Sequence, residues 1–201
     1  MSPAAWIAVA AGAAALAGLL WAEARGGPRA PFKVAASAGF LALALLLRPE
    51  APWERWILLG LCLSALGDVL LLSASRRGFL AGLVAFLLAH LAYAVAFRPL
   101  ASPTPWAAAA ILGATALVLR WLWPHLGRMR LPVIAYCAVI GLMLWLALGT
   151  GRPEIRLGGL LFWLSDLAVA RHRFVLAEPR NRLVGLPLYY AGQYLIALAL
   201  A

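Results

Sequence analysis

Apolar residues run in blocks of 14 to 19 along this chain, and short clusters rich in Arg, Pro and Gly separate the blocks. A bilayer core of about 30 Å requires about 20 apolar residues per helical crossing. The pattern predicts eight spans, at about 4–22, 32–47, 56–74, 79–97, 106–123, 132–148, 157–170 and 184–201. The second and seventh are short and are expected to borrow residues from their flanks. The expectation is an all-α integral membrane protein, a bundle of eight transmembrane helices in one domain over 1–201. Six of the nine tryptophans (Trp21, Trp53, Trp56, Trp106, Trp121 and Trp123) fall near expected span ends, where an amphipathic ring prefers the interface.

Lys and Arg divide unevenly among the connections: the odd ones hold 12 of the 17 and the even ones 5. The positive-inside rule then places odd connections in the cytoplasm and both termini outside, in a bacterial-type inner membrane. A composition with 65% hydrophobic and 12% charged residues excludes an ordinary soluble domain. The net charge of +10 resides in connections rather than on a basic face, so nucleic acid is not an expected partner. Met1-Ser-Pro-Ala-Ala-Trp-Ile7 has no basic n-region, so no cleaved signal peptide is expected. Cys62 and Cys137 lie singly in apolar runs, without metal-ligand spacing.

Against this background two residues stand out. All five glutamates fall in or beside polar connections, whereas the two aspartates, Asp68 and Asp166, lie inside apolar runs. A carboxylate at the centre of a membrane helix costs roughly 2.5–3.5 kcal/mol on insertion scales, so such residues generally face a functional interior. A faint four-plus-four repeat relates them. Ser64-Ala-Leu-Gly-Asp68 in span three matches Trp163-Leu-Ser-Asp166 in span seven, and His90-Leu-Ala-Tyr93 and Tyr190-Ala-Gly-Gln193 follow at similar distances.

Ser64 with Asp68, His90 with Tyr93, and Tyr190 with Gln193 are each three or four residues apart, so each pair shares a helix face. At about 1.5 Å per residue, Asp68, Asp166 and Tyr190 lie about 7–12 Å from the odd-connection arginines, and His90 about 20 Å. One pocket opening at the odd-connection side accommodates them all. Ser64 and Ser165 also have the ordinary option of bonding back to their own helices. Tyr189 and Tyr194 read as interface anchors, Arg76, Arg77, Arg171 and Arg173 as topology markers, and Gly78 and Gly82 as a close helix approach. Two buried carboxyls in one site favour holding one proton between them, which supplies an acid and a base to flank a bond. A greasy cavity at that depth suits a lipid.

At these residues the sequence resembles the YhhN-like family of integral-membrane lysoplasmalogenases. The matching stretches are Ser64-Ala-Leu-Gly-Asp-Val-Leu-Leu-Leu72, Phe79 to Tyr93, Phe162-Trp-Leu-Ser-Asp-Leu-Ala-Val-Ala170 and Leu188-Tyr-Tyr-Ala-Gly-Gln-Tyr194, within roughly 30–198. The family usually opens its second span with Lys-Pro; here Val34 follows Lys33. The resemblance implies hydrolysis of the vinyl ether bond of a lysophospholipid substrate, giving a fatty aldehyde and glycerophosphoethanolamine or glycerophosphocholine. The residue chemistry read above fits that reaction: one of Asp68 and Asp166 is expected to act as acid and the other as base or stabiliser, with His90 in support. Lys33, Ser64, Tyr93, Ser165, Tyr190 and Gln193 are then the candidate substrate-binding groups, and no metal or cofactor is required. The alternative is a small proton-coupled transporter loading protons on the same two aspartates.

Overall fold

The computed structural model describes residues 1–73 and 75–201; residue 74, the last of the third expected span, lies outside the described residues. The described residues form the helices α1 (Pro3–Arg25), α2 (Ala30–Leu46), α3 (Pro52–Leu70), α4 (Arg76–Phe97), α5 (Pro105–Leu126), α6 (Arg130–Gly149), α7 (Pro153–Ala170) and α8 (Pro179–Leu198). A π-helical turn over Arg171–Val175 continues α7.

Most helices start ahead of the apolar run they contain, because the polar connections supply the start signals. Proline opens α1, α3, α5, α7 and α8, where its missing N–H would have no helical partner anyway. Ser2 and Ser75 cap α1 and α4 through side-chain oxygens that accept from Ala5 N and Gly78 N. Glu54 Oε2 accepts from the backbone N–H of Glu50 and Ala51 at the head of α3. Gly26, at φ 70°, closes α1 in the left-handed conformation. The end of α3 falls short of the expected span. It stops at Leu70, so Asp68 occupies a last turn rather than mid-span.

Among the described residues, three stretches meet the length and hydropathy of a membrane crossing: Pro3–Arg25, Arg76–Leu100 and Pro105–Gly149, the last containing α5 and α6. The outer surface carries large apolar side chains such as Trp6, Ile7, Trp106, Leu112, Leu117 and Leu131. With the mean hydropathy of +0.92, such an exterior fits lipid rather than water.

Hairpins α1–α2, α3–α4 and α7–α8 form the main packing units, and α8 also touches α1, α2 and α3. The α7–α8 crossing is close enough to require glycine. A Cβ on Gly192 would sit 2.9 Å from Gly158 O and 3.1 Å from Phe162 N, both backbone atoms that cannot yield. Between the hairpins lies an aromatic core in which Phe162 meets Phe86, Tyr189 and Tyr93 at ring separations of 5.5–6.3 Å. Helix α5 stays outside this core, packed on α6 and on the π-helical turn. Its inner face therefore bounds a space instead of filling one.

Candidate active site

A cavity of about 440 Å³ occupies the end of the bundle where the odd connections lie. Its wall includes Lys33 near the start of α2, Asp68 at the end of α3, Tyr136 of α6, Asp166 of α7 and Tyr189 of α8. Both aspartates thus face one space, from the two hairpins that carry them.

Asp68 is 2% exposed and held from three sides. Lys33 Nζ lies 3.2 Å from its Oδ1. Ser37 Oγ and Tyr189 Oη each lie 2.7 Å from Oδ2 and donate to it. Lys33 and Ser37 are four residues apart on α2, so both reach the carboxylate from one helix face. Tyr190 Oη sits 3.2 Å from Ser37 Oγ and from Lys33 O, behind this cluster. A cation and two hydroxyl donors are the complement an ionised carboxylate needs when buried.

Asp166 has a different set of neighbours. Tyr136 Oη donates to its Oδ2 at 2.9 Å, and His90 Nε2 stands 3.6 Å from the same oxygen. Among the described residues no Lys or Arg pairs with it. His90 is fully buried, its ring tilted by 34° against Phe162 at 4.3 Å, and its Nδ1 lies 2.6 Å from Phe86 O. A carbonyl only accepts, so Nδ1 carries the imidazole hydrogen and Nε2 presents a lone pair to Asp166. Among the described residues, Nε2 has no hydrogen-bond partner. Two acceptors facing each other in a buried site are reconciled by one proton between them. The arrangement suits a carboxylic acid at Asp166 whose O–H points at His90.

The other nominated residues separate into layers. Ser165 lines the cavity, but its Oγ donates to Phe162 O in its own helix at 2.7 Å. Tyr93, Gln193 and Ser64 form a buried chain away from the cavity: Tyr93 Oη donates to Gln193 Oε1 at 2.6 Å, and Gln193 Nε2 to Ser64 Oγ at 3.4 Å. His90 and Tyr190 stand behind Asp166 and Asp68 rather than in the wall. Tyr189, expected as an interface anchor, is a buried ligand of Asp68, because α8 begins at Pro179 and places it in mid-helix. Sequence reasoning missed Ser37 and Tyr136 as well. Ser37 had a signal, its four-residue spacing from Lys33; Tyr136 had none beyond being a polar residue in an apolar run. Among the described residues, no group of three or more His, Cys, Asp and Glu side chains is placed to hold a metal ion.

The fold and the cavity define a helical membrane protein with an acidic pair enclosed at one end of its bundle. The sequence profile of the YhhN family matches residues 28–200, and the chain belongs to that family, in line with the resemblance at Asp68 and Asp166. A lysoplasmalogenase of Mycobacterium bovis is 35% identical over 168 residues, which cover 78% of this chain and 63% of the relative. Lysoplasmalogenase TMEM86A of Bos taurus is 35% identical over 181 residues, covering 84% and 71%. Lysoplasmalogenase TMEM86B of Rattus norvegicus is 37% identical over 163 residues, covering 79% and 68%. The matched region therefore spans under two thirds of the mycobacterial relative's length. No solved structure matches the chain.

Proposed function

We propose that this protein is an integral-membrane lysoplasmalogenase. It hydrolyses the vinyl ether bond of a lysoplasmalogen to a fatty aldehyde and glycerophosphoethanolamine or glycerophosphocholine. Family membership and the names of the relatives support the reaction. The observation that carries the mechanism is the unequal setting of two aspartates on one cavity, Asp68 beside a cation and Asp166 beside a neutral imidazole.

Vinyl ethers break after protonation on carbon. Asp166 gives its proton to the alkenyl carbon beyond the one bonded to oxygen, and the double-bond electrons form the new C–H bond. The oxygen-bearing carbon becomes an oxocarbenium ion, stabilised by the Asp68 anion. Water adds there and returns a proton to Asp166. The hemiacetal then loses its O–H proton as the C–O bond breaks, the glycerol oxygen gains one, and aldehyde leaves. One water is consumed and both carboxyl groups regain their starting states. The division of labour parallels that of paired carboxylates in glycoside hydrolysis. His90 and Tyr136 act on Asp166 alone: the imidazole behind it receives the resting O–H, which turns to the cavity when substrate is in place, and Tyr136 fixes Oδ2.

The charge bias supports eight crossings with odd connections in the cytoplasm, so that the cavity faces the cytoplasmic leaflet. The placement of one aspartate on α3–α4 and one on α7–α8 supports the four-plus-four relation. The family and its relatives give no support to the proton-coupled transporter. The discriminating experiment presents purified protein in detergent with a vinyl-ether lysolipid beside its ester analogue. Aldehyde release from the first alone, with no ion gradient, is expected; no aldehyde from either lipid refutes the reading.

A further inference from the structure

The mouth of the cavity carries charges that the hydrolysis does not use. Glu23, in the last turn of α1, is 9% exposed, and its carboxylate lies between two guanidinium groups. Arg29 Nη1 is 3.3 Å from Oε1, and Arg182 Nε, from the first turns of α8, is 2.7 Å from Oε2. Arg182 Nη1 also lies 3.3 Å from His172 Nε2, while His172 Nδ1 lies 3.1 Å from Glu178 O and donates to it. Glu23, Arg29, His172 and Arg182 all belong to the cavity wall.

One arginine would neutralise Glu23; the second leaves a positive charge at the wall. Lys33 does not add to it, because its ammonium is taken up by Asp68. The two arginine side chains are 42% and 37% exposed; Arg29 holds Glu23 through Nη1, and Arg182 holds Glu23 through Nε and His172 through Nη1, which leaves Nη2 of each guanidinium to a ligand. Away from the mouth the wall turns apolar, with Leu122, Val133, Cys137 and Phe174 where α5 and α6 meet the π-helical turn. Asp68 is held by Lys33, one helical turn from Arg29, and Asp166 by Tyr136, one turn from Val133. The cavity is thus charged at its mouth and mostly apolar in the other arm, where Arg173 also joins the wall with its guanidinium over the Phe79 ring.

We propose that Arg29 and Arg182 form a subsite for the phosphodiester anion of a single-chain lipid, with Glu23 as the positioning residue and the chain lying in the apolar arm. Guanidinium forks match phosphate oxygens in bidentate fashion, which an ammonium cannot do. The identity of the lipid as a vinyl ether rests on the hydrolase reading; the phosphate subsite does not. Lys33, a candidate substrate-binding residue from the sequence, is engaged by Asp68, so the subsite is assigned to the two arginines.

The test is equilibrium binding in detergent with three probes that the enzyme cannot turn over. These are a saturated alkyl-ether lysophosphatidylethanolamine, the matching 1-alkylglycerol without phosphate, and glycerophosphoethanolamine without a chain. The wild-type protein is expected to bind the first at least tenfold more tightly than either of the others. Arg182→Ala and Arg29→Ala should each cut the preference over alkylglycerol to less than threefold, with Arg182→Lys intermediate. Unchanged alkylglycerol affinity reports an intact cavity, and Arg29→Ala serves if Arg182→Ala does not fold. Glu23→Gln adds net positive charge at the mouth, so a phosphate preference that falls despite it supports Glu23 as the residue that positions the two guanidinium groups, and one that rises overturns that role. A full preference retained in both arginine variants, or none in wild type, overturns the subsite. Glycerophosphoethanolamine binding as tightly as the lysolipid overturns the lipid assignment in favour of a free phosphodiester. Phosphate-dependent binding without vinyl ether cleavage would refute the hydrolase and leave the subsite standing.

Discussion

Replacing Lys33 by methionine removes the ammonium paired with Asp68 while keeping a long apolar stem. The pair is 3.2 Å apart, with side chains 13% and 3% exposed. At an effective dielectric of about 20 its attraction is about 5 kcal/mol. Removing one partner of a buried pair costs about 3–5 kcal/mol, because the remaining charge stays desolvated. Asp68 then either destabilises the fold as an unpaired anion or takes up a proton and ceases to be one. Both outcomes deprive the oxocarbenium ion of its counter-charge. Loss of a single preorganised electrostatic group typically costs about 10²–10³ in kcat, and Lys33→Met is expected in that range. At about 2–4 °C per kcal/mol for a chain of this size, the unfolding midpoint should fall on the order of 10 °C. Adding Asp68→Asn to Lys33→Met removes the stranded charge. The double variant should regain much of the midpoint and none of the activity. The assay is aldehyde release beside thermal unfolding in one detergent. A single variant with wild-type midpoint and turnover, or a double variant no more stable than the single, would refute the reasoning.

Three further outcomes follow from the geometry. Tyr136→Phe removes the hydroxyl donor to Asp166 Oδ2 and should lower kcat by about 2–10-fold, the worth of one net hydrogen bond, with KM unchanged by steady-state kinetics. Gly192→Ala drives a methyl into the backbone of α7 and should destabilise the fold by about 1–3 kcal/mol in thermal unfolding, whereas Gly113→Ala, with open space around it, should not. His172 has its pKa lowered from the ordinary 6.5, first by burial and then by the Arg182 guanidinium. The unfolded chain therefore takes up a proton first as pH falls. The stability tied to neutral His172 is full above pH 6.5 and is lost as pH drops through the folded-state value, so His172→Gln should flatten the acid side of a stability–pH curve.

The helical architecture was legible because apolar blocks and their Pro, Gly and Arg breaks are local signals. Asp68 and Asp166 were legible because the cost of burying a carboxylate makes each one informative without any partner in view. Partners are a different matter. That Lys33 and Ser37 of α2 meet Asp68 of α3 depends on how two hairpins dock, and no spacing within either run contains that information. Tyr189 was misread because the polar start of α8, Pro179-Arg-Asn-Arg182, looked like connection rather than helix. With that turn counted as helix, Tyr189 moves from an end to the middle. Gln193 and Tyr93 show the opposite limit: residues polar enough to nominate a site instead satisfy each other in the core.

The two-aspartate mechanism is tested most directly by vinyl-ether cleavage in Asp68→Asn and Asp166→Asn beside wild type, with each protein's folding checked by thermal unfolding. Positioned acid or base groups contribute about 10²–10⁴-fold, so both folded variants should lose at least 10² in aldehyde release. Near-wild-type release from either folded variant would contradict the account.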